Sequence, residues 1–342
     1  LLETFTAEWA RWAHDRRRHV RNQAHGAPAN LLDLYAATDI PETEGAEIHR
    51  FKWATSAAHV AGRPLVSAEA ATWLGEHFRS TLADVRANVD RFFVAGVNHI
   101  FYHGTAYSPV GDAWPGWQFY AAVEFGPQNS WWDDFAALTG YVARVQSFLQ
   151  AGTPDHDVLL YYPFYEALTA RGSARLTHFG GASPPPQGTA FEAAAGRLQQ
   201  DGFTYDFISD RQLRGTRVEN GRLLTSGGTA YRVIVLPSAR YIPLETLEHV
   251  LALARSGAMV VSFGDWPSDV AGLHDLEPRR ARFRNAIAGV QFGPAGSDGM
   301  REAEIGRGRI LRGDDLGRLL ERAGVRREQL VDHGLQFARR VD

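Results

Sequence analysis

The sequence predicts an α/β protein made of the C-terminal half of a (β/α)8 barrel followed by an open α/β domain. Two observations carry this prediction. Short apolar runs alternate with helical patterns over the first 150 residues, and longer, continuously apolar runs between helical patterns follow a Gly-Thr-Pro break at 152–154. The chain has 342 residues, 44% of them hydrophobic and 22% charged, which is typical of a globular protein with room for two domains.

The first predicted domain, residues 1–152, contains four strand–helix units after an opening helical pattern. Strands are predicted at 19–25, 38–44, 64–69 and 99–103, and helices at 29–36, 51–61, 73–95 and 131–150. Strict alternation of this kind implies parallel strands with right-handed crossovers. Because a long loop, a helix and then the break follow the fourth strand, we interpret these strands as the last four of a barrel. The first four would lie upstream of Leu1, so the chain is expected to be an internal piece of a larger protein.

The second predicted domain, residues 153–272, contains four buried strands with helical crossovers. The strands are predicted at 157–162, 205–209, 231–236 and 258–263, and the helices at 189–200 and 244–255. This pattern indicates a doubly wound, flavodoxin/amidotransferase-like sheet. No Gly-x-Gly-x-x-Gly follows any of these strands, which argues against a nucleotide site. Residues 180–188 are predicted to form a loop, and residues 273–342 a linker and the start of a further, β-rich domain.

Composition excludes several classes of function. A net charge of -3 without a long basic block argues against a nucleic-acid partner. The absence of cysteine excludes disulfides, thiolate metal sites and a cysteine nucleophile. Apolar runs fall far short of the ~20 residues that cross a bilayer, so no membrane partner is expected. The pattern does not predict an oligomeric state.

Candidate functional residues stand where the predicted barrel strands end, the edge at which barrel enzymes place their reacting groups. Glu69 is the foremost candidate, because a short apolar run leads directly into it. Hydrolysis of a glycosidic bond needs one carboxylic acid and one carboxylate, and acidic residues on neighbouring strands meet that need. The other candidates at these ends are Asn22, Gln23, His25, Asp39, Glu42, Glu44, His103 and Tyr107.

Each candidate also has a structural interpretation. Glu69 could cap the next helix or pair with an arginine, and one of Glu42 and Glu44 could simply be solvated. Asp39 could hold a loop through backbone N–H groups. The two histidines could be satisfied core residues.

The long loop after His103 raises similar alternatives. Its tryptophans, which include Trp114, Trp117, Trp131 and Trp132, could belong to the core or a lid, or could stack on sugar rings. Glu124 could be paired with an arginine of the same loop.

A calcium ion is conceivable, since hard cations take carboxylate and carbonyl oxygens. No local Asp-x-Asp-x-Asp loop or His-Glu-x-x-His helix supports a metal site, so the local sequence leaves the question open.

At these positions the chain resembles glycoside hydrolase family 106, the α-L-rhamnosidases. The resemblance covers residues 20–132 and extends to the open α/β domain that follows. It rests on Gln23-Ala-His25-Gly26, Asp39-Ile-Pro-Glu-Thr-Glu44, Ser67-Ala-Glu69-Ala70, Phe101-Tyr-His103-Gly104, Trp114-Pro-Gly116 and Asn129-Ser-Trp-Trp132. Several motifs in one order are far more specific than any one of them alone.

The resemblance implies removal of terminal α-L-rhamnosyl groups from plant or microbial glycans, with inversion at the anomeric carbon. Glu69 is expected to be the general base, and Glu44 either to steer the water and sugar hydroxyls or to hold a Ca²⁺ ion. The general acid would lie upstream of Leu1, so this chain alone is expected to be inactive. The residues expected to contact the rhamnose-containing oligo- or polysaccharide are His25, Asp39, His103, Tyr107, Trp114, Asn129 and Trp131. A periplasmic or extracellular location is expected for such an enzyme.

Two other functions remain open at this point. A retaining barrel glycosidase, such as a β-galactosidase, would also be followed by an open α/β domain, but its two carboxyl groups would stand about 5–5.5 Å apart. A non-catalytic carbohydrate-binding protein would keep the tryptophan-lined loop and lack the chemistry. An amidotransferase is set aside because no cysteine is available as nucleophile.

Overall fold

The computed structural model describes residues 1–75, 77–169 and 188–342, and it contains two parallel sheets that share a helix layer. None of the described helices is both long enough and apolar enough to cross a membrane. The predicted loop at 180–188 falls outside the described residues except for Gly188.

The first sheet has four parallel strands that lie in the order in which they follow one another along the chain. Its strands are β1 (Arg21–Asn22), β2 (Ile40–Glu44), β3 (Ser67–Ala70) and β4 (His99–Tyr102). Its helices are α1 (Ala7–His14), α2 (Leu31–Ala36), α3 (Ile48–Ala61), α4 (Leu82–Ala95) and α5 (Phe135–Gln150). A π-helical turn (Leu2–Thr6) precedes α1, and a 3-10 turn (Trp132–Asp134) precedes α5.

Helix α4 begins nine residues later than its periodicity predicts, at Leu82 rather than 73. Thr81 and Asp84 form a reciprocal capping box, in which the Asp84 N–H donates to the Thr81 hydroxyl and the Thr81 N–H donates to the Asp84 carboxylate. This cap defines the helix start. The described residues before it, 71–75 and 77–80, form a loop at the carboxyl end of β3.

The second part of the chain forms the remaining strands and helices. The strands are β5 (Thr153–Pro154), β6 (Val158–Tyr161), β7 (Tyr205–Ile208), β8 (Arg217–Glu219), β9 (Arg222–Leu224), β10 (Ala230–Tyr231), β11 (Val233–Pro237), β12 (Tyr241–Ile242), β13 (Met259–Phe263), β14 (Asp269–Val270), β15 (Arg301–Ile305), β16 (Gly308–Gly313) and β17 (Arg340–Val341). The helices are α6 (Phe164–Ala167), α7 (Ala190–Gln200), α8 (Asp210–Arg214), α9 (Leu244–Arg255), α10 (Leu276–Ala288) and α11 (Leu316–Arg322), with a 3-10 turn at Gln329–His333.

The second sheet has six strands in the order β15-β16-β13-β11-β6-β7. All neighbours are parallel except β15, which runs antiparallel to β16 at one edge. Its strands are apolar on both faces: Val158 and Leu160 of β6 pack into one hydrophobic cluster, and Leu159 and Tyr161 into another. Burial on both faces is typical of a parallel sheet covered by helices on each side.

The predicted boundary at residue 272 is wrong. Strand β16 pairs with β13 in the second sheet, and β15 pairs with β16 at its edge, so these two strands complete this sheet and do not start a further domain. Strand β17 pairs with β5 in a separate two-stranded sheet. Ile310 and Leu311 of β16 are fully buried. Because Arg309 and Arg312 flank them, the apolar run is too short to be read as a core strand from sequence.

Helix α3 joins the two sheets. Ten consecutive residues of it, 51–60, are buried, and its Trp53 packs edge-on against Tyr162 and close to Phe207 of β7. The helix ends at Gly62 in a left-handed conformation (φ 69°), where a Cβ atom would come within 2.6 Å of the Gly227 carbonyl oxygen. Only glycine allows this close approach of the two backbones.

Candidate active site

Strand register brings Glu44 and Glu69 together at the carboxyl end of the first sheet. The two residues are direct partners on the parallel strands β2 and β3. Since alternate residues of a strand face the same side, Glu42 lies on this face too, one pair further into the sheet. The Glu69 side chain is among the neighbours that lower the pKa of Glu44. The two candidate catalytic carboxyl groups therefore lie side by side on one face of the sheet.

Two basic side chains hold Glu44. His25 Nε2, from the loop after β1, lies 3.0 Å from Glu44 Oε1, and Arg50 Nη2, from the first turn of α3, lies 3.0 Å from the same oxygen. The hydrogen bond from His25 contributes most to lowering the pKa of Glu44, against the opposing effect of burial, and the charge of Arg50 adds to it. These contacts therefore favour the ionised form of Glu44.

Glu69 is the more open member of the pair. Its side chain is 27% exposed, compared with 16% for Glu44. The Thr72 hydroxyl donates a 2.7 Å hydrogen bond to Glu69 Oε1, and His103 Nδ1 lies 3.9 Å from that oxygen. A carboxyl group with few fixed donors and access to solvent is able to exchange a proton with water or substrate.

Glu42 lies deeper and is held by neighbours on two strands, β1 and β3. The Ser67 hydroxyl donates to Glu42 at 2.7 Å, and Arg21 Nε lies 3.2 Å from the same oxygen. Burial raises the pKa of Glu42, although Ser67 and Arg21 oppose the shift. The Arg21 guanidinium also lies 3.7 Å from the centroid of the Phe101 ring, so that it spans the face from β1 to β4. Glu42 therefore lies on the same face as Glu44 and Glu69, deeper in the sheet.

Unusual backbone conformations cluster in the loops at this edge of the sheet. Ala71 and Phe78, after β3, and Glu124, after β4, are non-glycine residues with φ of 67°, 62° and 64°. The Ala71 N–H donates to the Asn88 side chain at 3.2 Å, which holds the turn directly after Glu69. Left-handed conformations of non-glycine residues persist where surrounding contacts fix them, often at functional sites.

The sequence-based assignment of Asp39 to the sugar site conflicts with its position. Asp39 precedes the first residue of β2 and so lies at the amino end of the strand, opposite Glu44. Its carboxylate accepts from the Val20 N–H and lies 2.8 Å from His14 Nε2, and these contacts hold its pKa below the ordinary value although burial opposes them. Asp39 is thus a structural residue, as its alternative interpretation proposed.

Two residues of the long loop are also supports. Asn129 is buried, and its Nδ2 donates to the carbonyl oxygens of Val123 and Glu124. Trp131 Nε1 donates to the Ser80 carbonyl at 2.8 Å. Both side chains take part in fixing the loop, and their contact with sugar stays a prediction.

Tyr107 and Trp114, by contrast, are largely exposed, at 82% and 71%, and their side chains are free to meet a ligand. His25 and His103 both lie beside the carboxyl pair, as described above, which fits their predicted positions.

The sequence-based reasoning missed Arg50 and Thr72. Arg50 follows Glu44 by six residues, and Thr72 follows Glu69 by three. A basic or hydroxyl residue soon after a strand-end carboxylate was therefore a signal available in the sequence. The residues around Glu124 were missed as well. Its carboxylate accepts from the Phe119 N–H at 3.0 Å and lies 3.2 Å from His77 Nδ1.

The residues around Glu44 do not fit the predicted Ca²⁺ site. Glu44 Oε1 already faces the Arg50 guanidinium, and a positive group on the same oxygen repels a cation. Among the described residues, one group has the spacing of metal ligands: His59, His156 and Asp206. Its carboxylate accepts from the Lys52 ammonium at 2.9 Å, so this group is an ion pair in the core.

Comparisons with known proteins show the family of this chain and the fold it shares. The family profile described as alpha-L-rhamnosidase, of glycoside hydrolase family 106, matches residues 27–341. The rhamnosidase from Novosphingobium sp. PP1Y is similar in structure, with a TM-score of 0.72 and 22% identity over 96% of this chain and 30% of its own. The β-galactosidase from Bacillus circulans sp. alkalophilus has a TM-score of 0.58 and 12% identity over 95% of this chain and 56% of its own.

A Formosa agariphila protein, named provisionally as a beta-glucuronidase, is 31% identical over 214 residues, which are 61% of this chain and 16% of that protein. The chain therefore spans less than a third of the rhamnosidase structure and of this relative. The structural matches show a mixed α/β fold shared with barrel glycosidases. The family profile covers nearly the whole chain, and the chain belongs to glycoside hydrolase family 106.

Proposed function

We propose that this chain forms part of the active site of an inverting α-L-rhamnosidase acting on rhamnose-containing glycans. In this proposal β1–β4 are one side of a (β/α)8 barrel, and the second sheet is a flavodoxin-like domain, since its parallel strands lie in the order 2-1-3-4-5 along the chain. The observation that carries the proposal is the contact between Glu44 and Glu69 at the carboxyl ends of neighbouring strands.

Glu69 is the proposed general base. Its open carboxylate would take a proton from the water that attacks the anomeric carbon. Glu44, kept ionised by His25 and Arg50, would orient this water and accept hydrogen bonds from sugar hydroxyls. The acid and base of inverting glycosidases stand roughly 6.5–9.5 Å apart, so a carboxyl group in contact with Glu69 is not its partner acid. We propose that the acid comes from another part of the barrel.

A different role for Glu69 uses the same geometry. Its side chain is 27% exposed and stands beside a second carboxyl group, Glu44, that His25 and Arg50 hold. An exposed carboxyl group at this position could also serve as the general acid. The leaving group separates the two roles, because a group that departs without a proton needs no acid.

A second function, hydrolysis of another glycoside, is favoured by the relative named as a beta-glucuronidase, which is 31% identical to this chain. The same carboxyl pair would serve it. The choice between the two rests on the sugar that the site accepts.

The proposal is tested with nitrophenyl α-L-rhamnoside, β-galactoside and β-glucuronide as substrates of the full-length protein. We expect release of nitrophenol from the rhamnoside, with β-L-rhamnose as the first product seen by NMR. First appearance of the α-anomer would contradict inversion. Cleavage of the glucuronide or galactoside alone would favour the second function, and binding of rhamnosides without turnover a non-catalytic sugar-binding protein.

A further inference from the structure

We propose that Phe119 and Tyr120 form a leaving-group shelf, an aromatic surface that binds the ring attached to the departing oxygen of the glycoside. The proposal rests on the proposed function, since it takes Glu69 to mark the position of the reacting sugar. The shared chemistry of its occupant is a ring with an apolar face, either the next sugar of a glycan or an aryl aglycone.

The leaving-group shelf begins one side chain away from the carboxyl pair. His103 Nδ1 lies 3.9 Å from Glu69 Oε1, and the His103 ring meets the Phe119 ring edge-on at 5.1 Å between centroids. The Tyr120 ring continues the surface at 4.8 Å from that of Phe119. A ring bound here would adjoin the sugar whose anomeric carbon faces Glu69.

Contacts beneath the leaving-group shelf hold it in place. The Phe119 N–H donates to the Glu124 carboxylate, which is only 7% exposed, and His103 Nδ1 lies 3.0 Å from the Ala121 carbonyl oxygen. Ala121 is buried, as are the two residues that follow it. The exposed rings therefore stand on a fixed loop, and ligand binding would not have to order them first.

The exposed surface of the leaving-group shelf is apolar and large. Phe119 is 44% exposed and Tyr120 68%, whereas the charge of Glu124 lies below the surface and faces the backbone. Aromatic faces of this kind bind flat, C–H-rich or aromatic faces and add specific geometry to the burial of area. The two rings carry no charge themselves, which favours a neutral ring as the occupant.

The test compares leaving groups in the full-length protein carrying Phe119→Ala and Tyr120→Ala together. The substrates are a rhamnose-terminated disaccharide, nitrophenyl α-L-rhamnoside and α-L-rhamnosyl fluoride, whose leaving group has no ring. We expect kcat/KM to fall about ten- to thirtyfold for a leaving group that occupies the shelf and to stay within about twofold for the fluoride. A loss confined to the disaccharide identifies a sugar occupant, and a loss confined to the nitrophenyl substrate an aryl occupant.

Two control variants separate binding from folding. Phe119→Tyr with Tyr120→Phe keeps both aromatic faces and is expected to retain wild-type rates. Phe148→Ala removes a 78% exposed ring on α5 and should change none of the three substrates. An equal loss of kcat/KM on the fluoride, or no loss on either substrate whose leaving group contains a ring, would overturn the leaving-group shelf. A wild type inactive on all three rhamnosides would instead overturn the proposed function on which it rests.

Discussion

Two polar clusters in this molecule, each built around a carboxylate, have opposite arrangements. At the edge of the first sheet, Glu69 meets another carboxyl group and one hydroxyl donor and keeps 27% of its side chain exposed. In the core between the sheets, Asp206 of β7 is fully buried and accepts from four donors: Lys52, His59, His156 and Tyr231.

The difference lies in how far each carboxylate is satisfied. Burial alone would raise the pKa of Asp206, but His156, Lys52 and His59 hold it well below its ordinary value, so this group stays ionised and exchanges no proton. Glu69 has spare acceptor capacity and an opening to solvent. A buried carboxylate with every position occupied joins two layers of the fold, whereas one left partly open is suited to chemistry.

The largest expected effect is on Glu69. Replacing Glu69 by Gln keeps its shape and removes its charge, and we expect kcat/KM of the full-length protein on nitrophenyl α-L-rhamnoside to fall by about 10⁴-fold, the upper end of what a general base contributes. The melting temperature should stay within about 1–2 °C of wild type, because no buried charge loses its partner.

Assaying the same variant on α-L-rhamnosyl fluoride separates the two proposed roles of Glu69, general base and general acid. Fluoride departs without a proton, so a general-base role predicts the full loss on this substrate too. Retained hydrolysis of the fluoride would make Glu69 the general acid, and unchanged rates on both substrates would remove it from the mechanism.

Asp206→Asn should have the opposite signature. It leaves the Lys52 ammonium buried without a counter-charge, which costs about 3–5 kcal/mol of unfolding free energy. Urea unfolding of the chain measures this loss. A double variant, Asp206→Leu with Lys52→Met, removes both charges and should recover much of the stability. A loss below about 1 kcal/mol in Asp206→Asn would mean that this core cluster is not a structural link between the sheets.

Acid should weaken the core cluster through His156. Burial lowers the pKa of His156 from 6.5 to about 4, so between these values the unfolded chain takes up a proton that the folded chain refuses. The contribution of neutral His156 to the unfolding free energy is therefore fully present above about pH 6.5. It declines as the pH falls towards 4, by on the order of 3 kcal/mol. Unfolding free energies measured from pH 7 to pH 4 test this, and His156→Gln should flatten the slope. An unchanged slope in that variant would place the titration elsewhere.

The smallest of these effects is expected for Glu44→Gln. Loss of the Glu44 charge weakens the contacts of Glu44 with His25 and Arg50. Because Glu44 lies beside Glu69, we expect Glu69 to be less well positioned as a result. Misplacement of a reacting group by about 1 Å costs up to about 100-fold, so we expect a ten- to hundredfold loss of kcat/KM. Arg50→Lys keeps the charge and serves as the control, with a smaller loss. A loss as large as that of Glu69→Gln would give Glu44 a direct part in the reaction.

Much of this organisation could be predicted from local pattern. The alternation of apolar runs with helical periodicity placed β2, β3 and β4 to within a few residues and drew attention to Glu44 and Glu69, because strand ends and periodicity are properties of neighbouring residues. Helix α9 was predicted at its observed bounds, Leu244–Arg255.

The errors arise where distant segments meet. Asp39 comes just before β2 and Glu44 is its last residue, but only the direction and bounds of β2 show that they lie at opposite ends of the strand. Strand β16 is recognisable as a core strand only once β13 lies beside it. The contact between Glu44 and Glu69 depends on the register of two strands, and the donors to Asp206 come from as far as 154 residues away. Local pattern carries no information on such pairings, because chain folding and side-chain packing decide them together.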